Sequence, residues 1–204
     1  MMRASSFPWV ATAALTVSAL GVLAGSEALA HVNPAVKLMS DRDAMAAVLP
    51  LAREFSWTDV KPTAAQRETI RKQWGWTMHE RSFRVYSGRD AQGRPAGSVV
   101  FVTEPTLHGP VRVAAGLDMA GKLVGAAVVE VSEETYPWVK PLIVDDFTRA
   151  FLGRDARGDF AVAGLPGAGR QRRMQEFYAR LIAGLLKRAA VLYEVSVRAE
   201  PPKA

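Results

Sequence analysis

The amino-acid sequence predicts an α+β domain in which helices pack against an antiparallel sheet. Two short helical patterns come first, strand-like segments joined by turn residues follow, and a long amphipathic helix comes last. Helices and antiparallel strands in separate runs are typical of the α+β class. The length of 204 residues predicts a single domain over residues 31–200, followed by a frayed polar tail at residues 201–204.

Two helices are predicted before the strands. The first spans Ser40 to Leu51, because the leading serine can cap the first turn and apolar residues then recur at helical spacing. The second spans Thr63 to Gly75, with the threonine as its cap and the glycine as its C-terminal stop.

Four segments are predicted as strands because they are rich in β-branched and apolar residues and are bounded by turn residues. They are Ser82 to Ser87, Gly97 to Thr103, Val111 to Leu117 and Leu123 to Val131. The last two are joined by Asp118-Met119-Ala120-Gly121, which is a hairpin turn in which the glycine can adopt a positive φ.

The C-terminal third is predicted to be mainly helical. A short helix is expected from Val144 to Leu152, and a long one from Gln171 to Tyr193 with a continuous apolar stripe along one side. Two brief strands are also expected, at Asp159 to Val162 and at Val195 to Val197.

The N-terminus has the pattern of a secretory signal over residues 1–30. A positive residue, Arg3, precedes an apolar stretch, and Ala28-Leu29-Ala30 forms an A-x-A cleavage site that leaves His31 as the first mature residue. The alternative is an uncleaved anchor, since Trp9 to Gly25 approaches spanning length. Either form predicts a periplasmic protein, or one held at the outer face of the cytoplasmic membrane.

Composition limits the chemistry. The chain contains no cysteine, which excludes disulfides, thiolate metal sites, iron–sulfur ligation and haem attachment through cysteine. The formal net charge is +6, which favours an acidic partner or an anionic membrane surface. Nucleic acid is not an expected partner, because the signal segment predicts export.

The stretch "GLDMAGKLVGAAVVEVSEET" (Gly116 to Thr135), followed by "FTRAFLGRD" (Phe147 to Asp155), resembles the FMN-binding domain family. Members of this family include the exported flavin subunits of Rnf-type and sodium-translocating NADH:quinone oxidoreductase complexes, and related periplasmic proteins. The resemblance covers most of the chain after residue 37. It implies an FMN-binding-domain-like fold, FMN as cofactor, and electron transfer beside a membrane redox complex.

In that family a hydroxyl residue before the last helix is esterified to the FMN phosphate. The matching stretch here is Pro166-Gly167-Ala168-Gly169, which has no hydroxyl at position 169 and therefore no nucleophile for a phosphoester. Noncovalent FMN is the resulting expectation. Gly167, Ala168, Gly169 and Arg170 would hold its phosphate, since free N–H groups at a helix start and a guanidinium group suit an anion. The resemblance also implies that Glu134 and Thr135 contact the flavin ring or the ribityl chain.

Other interpretations stay open at the level of sequence. The glycine turn can simply lead into a helix with solvated arginines, and the Glu134-Thr135 pair can cap the end of a strand. The same fold without flavin would then serve as a structural or assembly subunit of a membrane complex. A secreted copper protein is a further alternative, in which the amine and imidazole of His31 bind the metal together with a second histidine.

Overall fold

The computed structural model describes residues 33–165 and 167–198, which belong to one compact unit. They form six strands, four α-helices, a short 3-10 helix at Phe147–Phe151 and a π-helical turn at Glu194–Arg198. The strands are β1 (Ala35–Lys37), β2 (Glu54–Val60), β3 (Phe83–Arg89), β4 (Pro95–Glu104), β5 (Val111–Leu117) and β6 (Leu123–Ser132). The helices are α1 (Asp41–Val48), α2 (Ala64–Trp74), α3 (Tyr136–Val144) and α4 (Gly169–Tyr193).

The strands form one antiparallel sheet in the order β1-β6-β5-β4-β3-β2. From β2 to β6 each strand pairs with the next in sequence, and the short β1 is added outside β6. Helices pack against this sheet, which confirms the predicted α+β class. The predicted hairpin between β5 and β6 is confirmed as well, since the amide of Gly121 donates to the carbonyl of Asp118 and the glycine has φ +80°.

The main core lies between the sheet and α4. One side of α4 is buried along most of its length and meets inward-facing residues of β4, β5 and β6, because apolar residues recur along the helix every three or four positions. The helix side of this core includes Tyr178, Ala179, Ile182, Leu185, Leu186 and Ala189. The face of α4 opposite to this core is therefore left for solvent or a partner.

The other face of the sheet is covered by α1. A smaller core joins Ala44 and Val48 of α1 to Val99, Ala114 and Val129 of the sheet. The C-terminal end of α1 comes so close that its backbone lies directly on the paired glycines of β5 and β6, Gly116 and Gly125. The domain therefore has three layers, with α1 and α4 on opposite faces of the sheet.

The two predicted N-terminal helices are confirmed, with shorter bounds for the first. The Ser40 hydroxyl accepts from the amide of Asp43, and Thr63 forms a reciprocal capping box with Gln66. Gly75 ends α2 in the left-handed conformation. Within residues 33–165 and 167–198, no helix is long and apolar enough to cross a membrane.

Three predictions in the C-terminal part were wrong. Residues 159–162 form no strand, because the Asp159 carboxylate accepts from the Ala161 amide and closes a local turn instead. Residues 195–197 belong to the π-helical turn that prolongs α4. The helix expected at 144–152 is replaced by α3 and the 3-10 helix, separated at Asp146, whose φ is +49°.

Two strands and one helix escaped prediction. The edge strand β2 is mostly exposed and four of its seven residues are polar, while β1 has only three residues. The proline after Tyr136 stands in the first turn of α3, where proline is favoured. The predicted signal (residues 1–30), His31 and the predicted tail (201–204) lie outside the described residues.

Candidate functional site

The segment that leaves β6 is fixed by a buried hydroxyl network. Thr135 is fully buried (0% exposed), and its hydroxyl lies 3.1 Å from the hydroxyl of Tyr178 and 2.9 Å from that of Ser132. The same Thr135 hydroxyl donates to the carbonyl of His108 at 3.2 Å. Because its hydrogen-bonding capacity is used inside the protein, Thr135 positions the surrounding residues and cannot contact a ligand without breaking these bonds.

The carbonyl of His108 is the acceptor at the centre of this network. Besides Thr135, it accepts from the Ser132 hydroxyl and from the side-chain amide of Asn33, the latter at 2.8 Å. Thr106 closes the turn from the other side, since its hydroxyl donates to the carbonyl of Gly109 at 2.7 Å and accepts from the amide of His108. The β4–β5 connection is therefore a rigid turn rather than a loose loop.

Glu134 lies at the surface beside this turn. One of its carboxylate oxygens is 2.7 Å from Nδ1 of His108, and the other accepts from the side-chain amide of Asn33 at 2.9 Å. Its side chain remains partly exposed. Glu134 and Thr135 are both predicted to contact a flavin ring or ribityl chain, but only the Glu134 side chain is accessible to solvent.

Aromatic rings continue from this carboxylate into α4. The Trp138 ring meets the His108 ring edge-on at a centroid distance of 5.2 Å, and stacks nearly parallel on Tyr178 at 5.8 Å. Trp138 is half-buried, and Tyr178 is fully buried. The Trp138 indole thus lies between the His108–Glu134 pair at the surface and Tyr178 in the main core.

The predicted phosphate cradle forms the exposed start of α4. Gly167 and Gly169 have φ values of +100° and +74°, and Ala168 occupies the N-cap position without a side-chain hydrogen bond to the helix. No atom lies within 4 Å of a Cβ built on Gly169. Pro166, the first residue of the matching stretch, lies outside the described residues. The local backbone is left-handed and uncapped, which only glycine adopts without strain.

The arginines near this turn differ in their roles. Arg172 is engaged within the protein, since it donates to Glu176 at 2.9 Å and to the carbonyl of Gly167 at 3.0 Å. Arg170 is exposed and makes no ion pair with a described residue. Of these two arginines, Arg170 is therefore available to an anion and Arg172 is not.

The two groups of predicted residues lie along the same helix pair, α3 and α4. The side-chain amide of Gln171 donates to the carbonyl of Pro137 at 3.4 Å, and two turns further along α4 the Tyr178 hydroxyl lies within hydrogen-bonding distance of the Thr135 hydroxyl. The uncapped start of α4 is thus tied to the Glu134-Thr135 segment. The spacing of the sequence alone gave no indication of these two bridges.

The surface pockets of the described residues lie away from the six predicted site residues. A pocket of about 590 Å³ lies between the α2–β3 connection, the end of β4 and α4, and Trp76 and Arg188 form part of its wall. Three others of about 430 to 520 Å³ are lined by residues other than the six predicted site residues. Within residues 33–165 and 167–198, no three histidine, aspartate or glutamate side chains form a group that could hold a metal ion.

Several residues of this region were not selected from the sequence. His108, Trp138 and Tyr178 come from three different parts of the fold, and no motif in the sequence joins them. Asn33 carried no signal at all, because its role depends on β1 pairing with β6. An aromatic or amide side chain that acts across the fold is not visible in local patterns.

In comparisons with protein-family models, with curated proteins and with solved structures, no significant match to this chain was found.

Proposed function

We propose that this protein is an exported, FMN-binding-domain-like electron carrier that works beside a membrane redox complex and binds FMN without a covalent bond. One observation carries the proposal. The uncapped start of α4, with two left-handed glycines and an exposed arginine, is tied by Gln171 to the segment that follows β6. A phosphate and the remainder of a nucleotide-like cofactor could then be held by residues of one helix pair.

The start of α4 fits a phosphate on chemical grounds. The first N–H groups of a helix have no partner within the helix, and the helix dipole adds positive potential there. No side chain of the described residues caps these groups, so an anion can accept from them. Gly167, Ala168 and Gly169 would bind the phosphate through the backbone, and Arg170 through its guanidinium group.

The cofactor's other end would face the Glu134 side of the helix pair. FMN would supply one- and two-electron redox chemistry, while the protein would set its orientation and its exposure to water. Glu134 can accept hydrogen bonds from a ring edge or from ribityl hydroxyls. Thr135, being buried, would act by holding the turn on which Glu134 and His108 meet.

The second candidate is a flavin-free structural or assembly subunit of a membrane complex. It is favoured by two features of the same region. Position 169 carries no hydroxyl, and the Thr135 hydroxyl is fully engaged inside the protein. In both candidates the protein binds a membrane complex, which accepts or donates electrons in the first and is only an assembly partner in the second.

Titration of the purified protein with FMN and with riboflavin tests the proposal. FMN should bind with quenching of its fluorescence and should be released on denaturation, while riboflavin should bind at least about tenfold more weakly because it lacks the phosphate. Arg170→Glu should remove this preference for FMN. Arg42→Glu, a charge reversal on α1 across the sheet, serves as the matched control and should leave it intact.

Two results would contradict the proposal. Equal binding of FMN and riboflavin would show that the start of α4 does not hold the phosphate, and no binding of either would show that the protein does not use a flavin. A colourless protein that still co-purifies with a membrane complex would support the structural alternative.

A further inference from the structure

The outer surface of α4 and the β4–β5 turn form one exposed face that combines apolar and positively charged side chains. It consists of Leu107, Arg173, Phe177, Arg180 and Lys187, and is called here the Leu107–α4 face. This face contains none of the residues proposed to hold FMN, although Arg173 lies only about one turn after the first residue of α4, and nothing in the electron-carrier proposal depends on it.

Leu107 is the clearest sign that this face has a partner. Its side chain is completely exposed (101%), the highest value among the large apolar residues of the described chain. In a mobile loop an exposed leucine would carry little information, but the turn that carries Leu107 is fixed by hydrogen bonds on both sides. Thr106 and Gly109 exchange backbone bonds, and the carbonyl of His108 accepts from three side chains. The fold thus holds an apolar side chain out in water, at a cost in free energy that burial against a partner would recover.

Phe177 extends the apolar patch next to Leu107. The two side chains line one shallow groove together with the half-buried Leu181. Phe177 is half-exposed (49%), although it stands on a helix whose opposite side is fully buried. Two large apolar side chains therefore lie together on a surface where solvent alone would favour polar ones.

Cations of α4 surround this patch. Arg173, Phe177, Arg180 and Lys187 recur at intervals of four, three and seven residues, so they project from the same side of the helix. Arg173 and Lys187 have no carboxylate partner among the described residues, and Arg180 lies 4.0 Å from Glu176 with 70% of its side chain exposed. The carboxylate of Glu104 nearby is already paired with Arg188. The net charge of the Leu107–α4 face is strongly positive.

We propose that the Leu107–α4 face docks on the surface of an anionic lipid bilayer. Its cations complement lipid phosphates, and Leu107 and Phe177 enter the boundary between headgroups and acyl chains. A bilayer is favoured over an acidic protein because Leu107 is fully exposed on its turn and the groove that it lines with Phe177 is shallow. A side chain exposed in this way can enter a fluid headgroup layer without needing a complementary surface. Docking would hold the α4 side of the domain against the membrane and leave α1 facing away from it.

Vesicle co-sedimentation tests the proposal on the purified protein. It should bind vesicles of phosphatidylcholine mixed with phosphatidylglycerol, bind phosphatidylcholine alone much more weakly, and dissociate as salt is raised. The neutral vesicles also measure whatever the apolar segment from Trp9 to Gly25 contributes, where that segment is retained.

Two variants of the face and two matched controls make the assignment specific. Arg173→Glu/Arg180→Glu should reduce partitioning to the anionic vesicles at least tenfold, and Leu107→Ala should reduce it several-fold. The two controls make the same types of substitution, Arg→Glu and Leu→Ala, on the opposite side of the sheet. Arg42→Glu/Arg53→Glu and Leu51→Ala change exposed residues at α1 and directly after it, and should leave lipid binding within about twofold of the unchanged protein.

The outcomes separate the alternatives. Equal losses in face and control variants would show that net charge alone drives binding and would overturn the proposal. So would equal binding to neutral and anionic vesicles. Failure to bind anionic vesicles, combined with loss of an acidic protein partner in the Leu107→Ala variant, would assign the face to a protein instead. None of these readouts requires flavin, so they are independent of the outcome of the FMN titration.

Discussion

The backbone of Val48, the last residue of α1, rests directly on Gly116 in β5. A Cβ added to Gly116 would lie 2.7 Å from the carbonyl carbon of Val48, and one added to Gly125 would lie 2.5 Å from its Cα. Both distances are shorter than van der Waals contact. The paired glycines thus create the space in which α1 reaches the sheet, and any side chain there must push the helix away.

We therefore expect Gly116→Ala to lower the free energy of unfolding by about 3 kcal/mol, because a rigid backbone rather than a flexible side chain opposes the added methyl group. Gly184→Ala in α4 is the matched control. No atom lies within 4 Å of its built Cβ, so this variant should stabilise the protein by about 0.5–1 kcal/mol through helix propensity. Urea unfolding of both variants measures the difference. An unchanged midpoint for Gly116→Ala would contradict the close packing of α1.

The hydroxyl pair between Thr135 and Tyr178 gives a second prediction. Thr135→Val should destabilise the protein by about 2 kcal/mol, since it leaves buried partners without a hydrogen bond, and Tyr178→Phe by about 1 kcal/mol. The double variant should cost clearly less than the sum of the two single variants, because the bond between them is lost only once. Strictly additive losses would indicate that the two hydroxyls act independently.

The ion pair between Asp41 and Arg112 predicts a pH dependence of stability. The Arg112 guanidinium donates to both carboxylate oxygens at 2.6 and 3.0 Å, and this lowers the pKa of Asp41 against the opposing effect of burial. A lowered pKa in the folded state stabilises the protein above the unfolded-state pKa of about 3.9, and the contribution disappears as pH falls through the folded-state value. Because both side chains are partly exposed, the contribution is at most about 1 kcal/mol.

Asp41→Asn should therefore reduce the stability at pH 7, and should flatten the decline in stability between pH 5 and pH 3. Urea unfolding at these three pH values is the measurement. Arg112→Gln should flatten the same decline, and the two changes together should do no more than either alone. A decline as steep as that of the unchanged protein would show that other carboxyl groups are responsible for it.

Position 169 is predicted to resist covalent attachment of FMN even when a hydroxyl is supplied. Gly169→Thr provides space, since nothing lies near its built Cβ, but φ is +74° there and a β-branched residue is strained at that angle. Coexpression with a flavin transferase, followed by a denaturing gel, should show no fluorescent band. A fluorescent band would mean that the start of α4 can rearrange and that the family's flavin pocket is complete.

The sequence predicted those elements whose signals are local. Capped helices such as α2 and the hairpin closed by Gly121 follow from side-chain chemistry within a few residues, and both were found as expected. The edge strand β2 was missed because most of its residues are exposed and its short alternation, with Phe55 and Trp57, is interrupted by the two consecutive polar residues at 58–59. The valines at 195 and 197 predict a strand because β-branched residues favour one, yet the segment continues as a helical turn after α4, with Val195 buried in the main core.

The candidate site was predictable only in part. The glycines before α4 carry their own conformational signal, and their positive φ values at 167 and 169 agree with it. By contrast, the burial of Thr135 depends on Tyr178 and on the carbonyl of His108, which come from elements distant in sequence. A hydroxyl that looks available in the sequence can thus be fully engaged once the chain has folded.

The position of β1 at the outer edge of the sheet has a consequence for the order of folding. Strands β2 to β6 can pair one after another, each beside its immediate predecessor; short loops join β3 to β6, and α2 lies in the connection between β2 and β3. The first strand has to wait, since Ala35 pairs with Ser132, about a hundred residues later in the chain. A polypeptide that emerges with its N-terminus first would expose β1 and the bare edge of the growing sheet until β6 arrives. In that interval, a chaperone or a second nascent copy would compete for the same row of backbone groups.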